Sequence, residues 1–192
     1  MLRSSLSRIV VFAVSSAFAF ANAETFPLSG TYVARGPMQE LEPHTGFAAE
    51  RNGRIEISKD HLKRMLYGTD GLASAWVGGS WYYIKSNGTL LKVISYDNGP
   101  DQFSEGVARS LVNGKIAYFD RRFRQVIGPK YDWGFPLQGG RALVGLGCKL
   151  SPPDSEGNQT LLGGSWGYVD RKGKEIVPVN LPFKDAQQQA PH

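Results

Sequence analysis

A single cysteine, Cys148, stands in this chain of 192 residues, so no intrachain disulfide can staple the fold. Histidine is almost as scarce. His44, His61 and His192 are the only three, and none stands in a recognisable pair with the cysteine or with a carboxylate, so the sequence carries no motif for nucleophilic or zinc chemistry. No catalytic residue, metal site or cofactor is therefore expected. The chain also lacks a long apolar run: its longest, Ile9 to Phe20, is 12 residues, against the roughly 20 that a membrane-spanning helix needs. Nor are its charges blocked by sign. The 22 basic and 17 acidic residues are interspersed, and the absence of a continuous basic stripe argues against a nucleic-acid partner.

The first 23 residues have the three parts of a secretory signal peptide. Arg3 and Arg8 supply the positive end, the apolar run follows, and Ala21-Asn22-Ala23 offers small residues to a signal peptidase. Cleavage is expected between Ala23 and Glu24, which leaves no transmembrane anchor. The missing cysteine near that junction argues against a lipoprotein anchor. The expected location is periplasmic or secreted. Losing Arg3 and Arg8 lowers the formal charge of +5 by two, and the mild basic excess that remains suits an anionic envelope polymer, a lipid headgroup or plain solubility. The remainder fits one domain, large enough to bury a core without disulfides.

Glycine is what the chain has in abundance, with 23 copies, and many fall at a fixed spacing. Asn52-Gly53 and Asn87-Gly88 are 35 apart, as are Gly71-Leu72-Ala73 and Gly106-Val107-Ala108, and Tyr83 and Tyr118. In the same register Gly78-Gly79, Asn113-Gly114 and Gly163-Gly164 precede Trp81, Ile116 and Trp166. Gly-Gly and Asn-Gly suit the two positive-φ positions of a tight hairpin turn. Each unit thus reads as a strand, a tight turn, a Trp/Tyr strand, a second turn and a short apolar strand. The last copy is the clearest: Trp166, Tyr168 and Asp170 alternate with Gly167 and Val169, and Asp170-Arg171-Lys172-Gly173 turns the chain into Glu175-Ile176-Val177.

The expected fold is all-β: tandem antiparallel hairpins, three strands per unit, about ten strands in a twisted open array, with a closed pseudo-symmetric barrel as the alternative. At most one short helix is expected, near 59–66, where Leu62, Met65 and Leu66 follow Ser58 at helical spacing. Residues 24–45 read as an N-terminal edge strand, Thr31–Ala34, and a loop. The repeat domain spans 46–179 and carries an insertion at 148–163. Residues 180–192, with Gln187-Gln188-Gln189, read as a disordered tail. Phe123 stands where the other units have Gly88 and Gly173, so its turn is expected to differ.

Trp166-Gly167-Tyr168-Val169-Asp170 with Lys172-Gly173-Lys174-Glu175-Ile176-Val177-Pro178 closely resembles the WG repeat, also called the KWG repeat, of bacterial proteins. Pro129-Lys130-Tyr131-Asp132 and Phe103-Ser104-Glu105-Gly106-Val107-Ala108 look like the intervening parts. The resemblance runs from about Gly46 to Pro178, with Ile116-Ala117 and Phe47-Ala48 in place of Trp-Gly in two copies. It implies a β-hairpin repeat with an interaction role and brings no catalytic motif.

Several residues are candidates for a site. Trp81, Tyr83, Tyr118, Trp166 and Tyr168 form either the core of the array or a ladder that stacks sugars or a peptide. The insertion, with Asp154, Glu156 and Asn158, is either a binding loop or tolerated disorder. Arg121, Arg122 and Arg124 form a basic turn that could dock an anionic partner or simply be solvated. Asp97-Asn98-Gly99-Pro100-Asp101 with Glu105 could ligate calcium, although ordinary turn chemistry explains it. Cys148 reads as packed or as an intermolecular disulfide partner. The leading functional expectation is a non-enzymatic exported module that binds an unidentified protein or envelope polymer. The rival is an envelope hydrolase using carboxylates such as Asp97, Asp101, Asp154 and Glu156.

Overall fold

The computed structural model describes residues 24–190. The expected signal peptide, and Ala23 of its expected cleavage site, lie outside the described residues. An N-terminal hairpin, β1 (Gly30–Arg35) and β2 (Leu41–His44), precedes a second, β3 (Ala48–Arg51) and β4 (Arg54–Ile57), and a one-turn helix, α1 (Lys59–Leu62). Three meanders follow. The first is β5 (Leu72–Val77), β6 (Ser80–Lys85) and β7 (Leu90–Val93), trailed by the miniature hairpin β8 (Ser95–Tyr96) and β9 (Gly99–Pro100). The second is β10 (Val107–Val112), β11 (Lys115–Asp120) and β12 (Gln125–Tyr131), trailed by β13 (Trp133–Gly134). The third is β14 (Arg141–Leu150), β15 (Leu161–Asp170) and β16 (Glu175–Leu181), trailed by α2 (Phe183–Gln188). The fold is all-β, its strands pair antiparallel, and the sheets stay open rather than closing into a barrel.

The turns follow from local chemistry. Gly78-Gly79 and Asn113-Gly114 have positive φ at both positions and join perfectly registered strands, Val77 to Ser80 and Val112 to Lys115. The second turn of the last two meanders is held by an aspartate, where the first meander uses Asn87, whose Oδ1 accepts from the Thr89 N–H at 3.0 Å. Asp170 accepts from the backbone N–H of Lys172 (2.8 Å) and Lys174 (2.9 Å), and Asp120 accepts from those of Arg122 and Arg124 (both 2.9 Å). Contrary to expectation, the turn at Phe123 does not differ. Phe123 takes φ 65°, donates to the Asp120 carbonyl at 2.8 Å and so repeats what Gly173 does with Asp170. The aspartate cap fixes the turn whichever residue sits in its left-handed position.

The glycine of Trp-Gly has a different reason. A Cβ on Gly167 would lie 2.4 Å from the Val177 carbonyl oxygen, because β16 bulges toward β15 between the pairs Tyr168–Val177 and Trp166–Leu181. The same bulge recurs beside Ala117, between Tyr118–Ile127 and Ile116–Tyr131. It is missing beside Tyr82, where Trp81–Val93 and Tyr83–Leu91 pair regularly. Small residues therefore mark the bulged copies, and a large one marks the regular copy.

Stacking of the meanders makes the core. Ala73, Ala75 and Ile84 pack against Tyr32, Phe47, Ile57, Leu62 and Met65 of the N-terminal part. On the other face of that sheet, Trp81, Tyr83, Leu91 and Val93 meet Ala108 and Phe119 of the next. Ile116 and Tyr118 in turn meet Ala142, Val144 and Val169. Each meander thus presses its Trp/Tyr face onto the opposite face of its successor, as repeat units that cannot bury a core alone must. The last aromatic face, Trp166 with Leu143, has no successor and is covered by α2 through Phe183 and Ala186.

This last contact corrects the tail: residues 183–188 are a helix, with Ala186 fully buried, because the exposed face of the final meander supplies an apolar partner. Among the described residues two short helices are therefore present instead of one, and α1 is confined to Lys59–Leu62, with no side-chain bond from Ser58. The described residues form sixteen strands, since two-residue pairs add to the repeats. Thr31–Ala34 is not an edge: β1 lies between β2 and β5. The insertion is no free loop either. β14 and β15 run on past the expected turn, with Cys148 opposite Gly163 and Leu150 opposite Leu161.

Candidate functional site

The segment that trails each meander returns over the second strand, at the position held by Trp81, Ile116 and Trp166. In the second meander that segment is Gly134, packed so closely that a Cβ would lie 2.3 Å from the Tyr118 hydroxyl and 3.1 Å from Ile116. In the third it is α2, whose Phe183 ring meets Trp166 edge-on at 4.9 Å, leaving Trp166 1% exposed. In the first meander the trailing piece is only the β8–β9 hairpin. It leaves the position open: Trp81 and Trp76, an edge-on pair at 5.6 Å, line a cleft of about 390 Å³ with Thr31, Ser95, Asp97 and Asn98. The two tryptophans are opposite residues of β5 and β6, placed there by the Gly78-Gly79 turn.

On the far side of the hairpin tip lies a second concavity of about 690 Å³, lined by Tyr83, Tyr96, Asp97, Asp101 and Phe103 among others. Tyr83 and Phe103 are 4.9 Å apart, and the Tyr83 hydroxyl donates to the Asp101 carbonyl at 3.0 Å. Burial, with Asp101 and Asp70 adding to it, pushes the Tyr83 phenol above its usual range, so it stays protonated as a donor. Tyr96, 58% exposed, stands over the Arg109 guanidinium at 5.4 Å. Asp97 and Asn98 form the tip between the two hollows, both with positive φ.

Asp101 and Arg109 make the anchor beneath this surface. Each side chain is 2% exposed, Arg109 Nε lies 3.1 Å from both carboxylate oxygens, and the Arg109 backbone N–H donates to Oδ2 at 2.7 Å. Arg109 Nη1 donates to the Gly134 carbonyl at 2.9 Å, tying the β8–β9 segment to the next meander. A carboxylate so fully engaged is a fixed counter-ion and a poor general base.

Residues 117–147 and 166–180 match the family of WG containing repeats. The chain carries WG repeats. The first matched segment runs from within β11 through β12 and β13 into β14, the second from Trp166 of β15 into β16, and the interval between them falls on the extension of β14–β15. No match was found among curated proteins or among solved structures.

The WG framework sorts the other residues singled out in the sequence. Of the five repeat aromatics, Tyr118 and Trp166 are buried core, while Trp81, Tyr83 and Tyr168 are half-buried. Asp154 caps the tip of the β14–β15 hairpin, accepting from the N–H groups of Glu156 (2.9 Å) and Asn158 (2.8 Å), and Asn158 reaches Glu156 at 3.3 Å. These backbone bonds, Asn158 first, hold the Asp154 carboxyl below the usual range. They do so without help from any other part of the fold. Arg124 pairs with Asp120 (2.7 Å), and Arg121 pairs with Asp70 (3.1 Å) while lying over Phe103. Among the described residues only Arg122 of that trio keeps a guanidinium without an acidic partner. Glu105 binds Arg171 and the Gly140 N–H (both 3.0 Å), which separates it from the Asp97–Asp101 turn. Cys148 is buried, and that burial raises its thiol above the usual range. His44 and His61 flank Tyr32 in the N-terminal core, away from the Cys148 cluster.

Sequence reasoning passed over Trp76, Tyr96 and Arg109. Trp76 was legible, since a Gly78-Gly79 turn sets it opposite Trp81. Nothing in the spacing from Asp101 to Arg109 announces a buried pair.

Proposed function

We propose that this WG-repeat protein is an exported, non-catalytic binding module of the cell envelope, which holds its ligand on the two aromatic hollows beside the Asp97-Asn98 tip. One observation carries the reading: the aromatic position that Gly134 and α2 fill in two repeats is left open at Trp81. Large aromatics rarely stay half-exposed around a concavity without a ligand to meet them. The head of the sequence, with Arg3, Arg8, the apolar run and Ala21-Asn22-Ala23, supports export. The hydrolase reading has one point in its favour, that Asp97 and Asp101 line the same hollow. Against it, Arg109 occupies both oxygens of Asp101.

The test is a pull-down from an envelope extract with the parent and Tyr96→Ser, a surface change that should leave stability within about 0.5 kcal/mol. Specific partners should be lost with the variant. Equal recovery by both proteins overturns the site, and intact mass from the native host beginning at a residue other than Glu24 overturns the export route.

A further inference from the structure

Resting on the binding-module reading, we infer that the Trp76–Trp81 cleft is a subsite for a neutral glycan, with one sugar seated on the indoles and the chain continuing over the tip toward Tyr96. The chemistry of the lining selects this class. A pyranose presents a face of C–H bonds, which packs by dispersion on an aromatic surface and meets the negative face of its π-system. Its hydroxyls project sideways from that face, and each must find a partner once water leaves. The rim supplies a matching set: Thr31 and Ser95 both donate and accept, Asn98 does both through its amide, and Asp97 accepts. A purely apolar ligand would strip these four polar groups of water without replacing their bonds.

Charge narrows the class further. No lysine or arginine lines the cleft, and its one ionised group is Asp97, so a phosphate, a nucleic acid or a sulfated polymer would meet repulsion where it needs a cation. Arginine is near, but Arg109 lies under Tyr96 with its charge spent on Asp101. The two hollows share Asp97, and at about 390 and 690 Å³ each falls within the roughly 300–1,000 Å³ typical of small-ligand sites, so a short oligosaccharide can bridge them. The Asp97 carboxylate then serves sugars on either side.

Trp76, Trp81, Trp133 and Trp166 are the four tryptophans of the chain, so a ¹⁵N-labelled sample gives four indole N–H signals, assignable with Trp76→Phe and Trp81→Phe. Titration with chitotriose and with cellotriose should shift the Trp76 and Trp81 signals and leave Trp133 and Trp166 in place. Asp97→Ala should weaken that binding about tenfold, roughly the 1.4 kcal/mol of one hydrogen bond to a charged group, with all four signals still dispersed. A sulfated trisaccharide should bind more weakly than either neutral probe. No shift with either neutral sugar, a shift confined to Trp133 or Trp166, or tighter binding of the sulfated probe each overturns the glycan assignment. If the sugars fail while the pull-down still depends on Tyr96, the module reading stands and only the ligand class falls. If both fail, the module reading falls as well.

Discussion

Phe123 holds a left-handed backbone, φ 65°, that costs a residue with a Cβ roughly 1–2 kcal/mol. Packing offsets the strain: its ring joins the Leu91, Val93 and Ala108 cluster, and Lys85 Nζ lies 4.4 Å above it. The same lysine donates to the Arg122 carbonyl at 2.9 Å, so the side chain clamps one repeat to the next. Phe123→Ala removes the packing and keeps the strain, an expected loss of about 2–3 kcal/mol. Phe123→Gly loses the same contacts but relieves the backbone, so it should be more stable than the alanine variant by about 1 kcal/mol. Urea unfolding of the three proteins checks the order, and equal stability of the two variants would mean that the turn relaxes. The sequence showed the bulky residue but not the Asp120 cap that tolerates it, because a cap is recognised only once the turn is known.

Between Leu146 and Ser165 the β14–β15 hairpin should have ended, if glycine pairs alone decided turns. Gly163-Gly164 has the composition of Gly78-Gly79, yet it faces Gly147 and Cys148 across a continuing ladder. The true tip is Asp154-Ser155-Glu156-Gly157, with the spacing of Asp170-Arg171-Lys172-Gly173, so the signal was present and outshone by a stronger one. The position matters for engineering. Replacing Ser151–Thr160 by Asn-Gly should keep the ladder closed and leave the melting temperature within about 2 °C, since shortening a loop changes closure entropy little. Deleting Gly147 to Leu162 is a different operation. It removes Cys148 and Leu161 from the last core and disturbs Gly163, whose carbonyl accepts the Trp166 indole N–H at 2.9 Å, so a loss of about 2–4 kcal/mol is expected. Thermal melts of the two deletions should therefore diverge, and equal melts would refute this division of tip from body.

Across the whole molecule, α2 takes the place of a missing repeat. Its legibility was poor because Gln187-Gln188-Gln189 suggests disorder, whereas the informative residues are Phe183 and Ala186, three apart on one helical face. The all-β array was legible because turn chemistry repeats at fixed spacing. The stacking order was not, since it depends on which face of each sheet carries the smaller side chains. Truncation after Leu181 should uncover Trp166 and Leu143, cost at least about 3 kcal/mol, and shift tryptophan emission to longer wavelength with concentration-dependent association. A monomeric truncation with the parent's emission would show that α2 is not a cap.

The one-way contact between repeats also constrains how such a chain can lengthen. Among the described residues its first meander is covered by the N-terminal hairpins and its last by α2, so a further unit stacked on either would have to displace that cover. It enters without displacing anything between two existing units, where its small-residue face meets the aromatic face before it and its own aromatic face meets the sheet after it. Tandem duplication inside the array preserves every seam, whereas a copy added beyond Ala190 would find the aromatic face of the last repeat already taken.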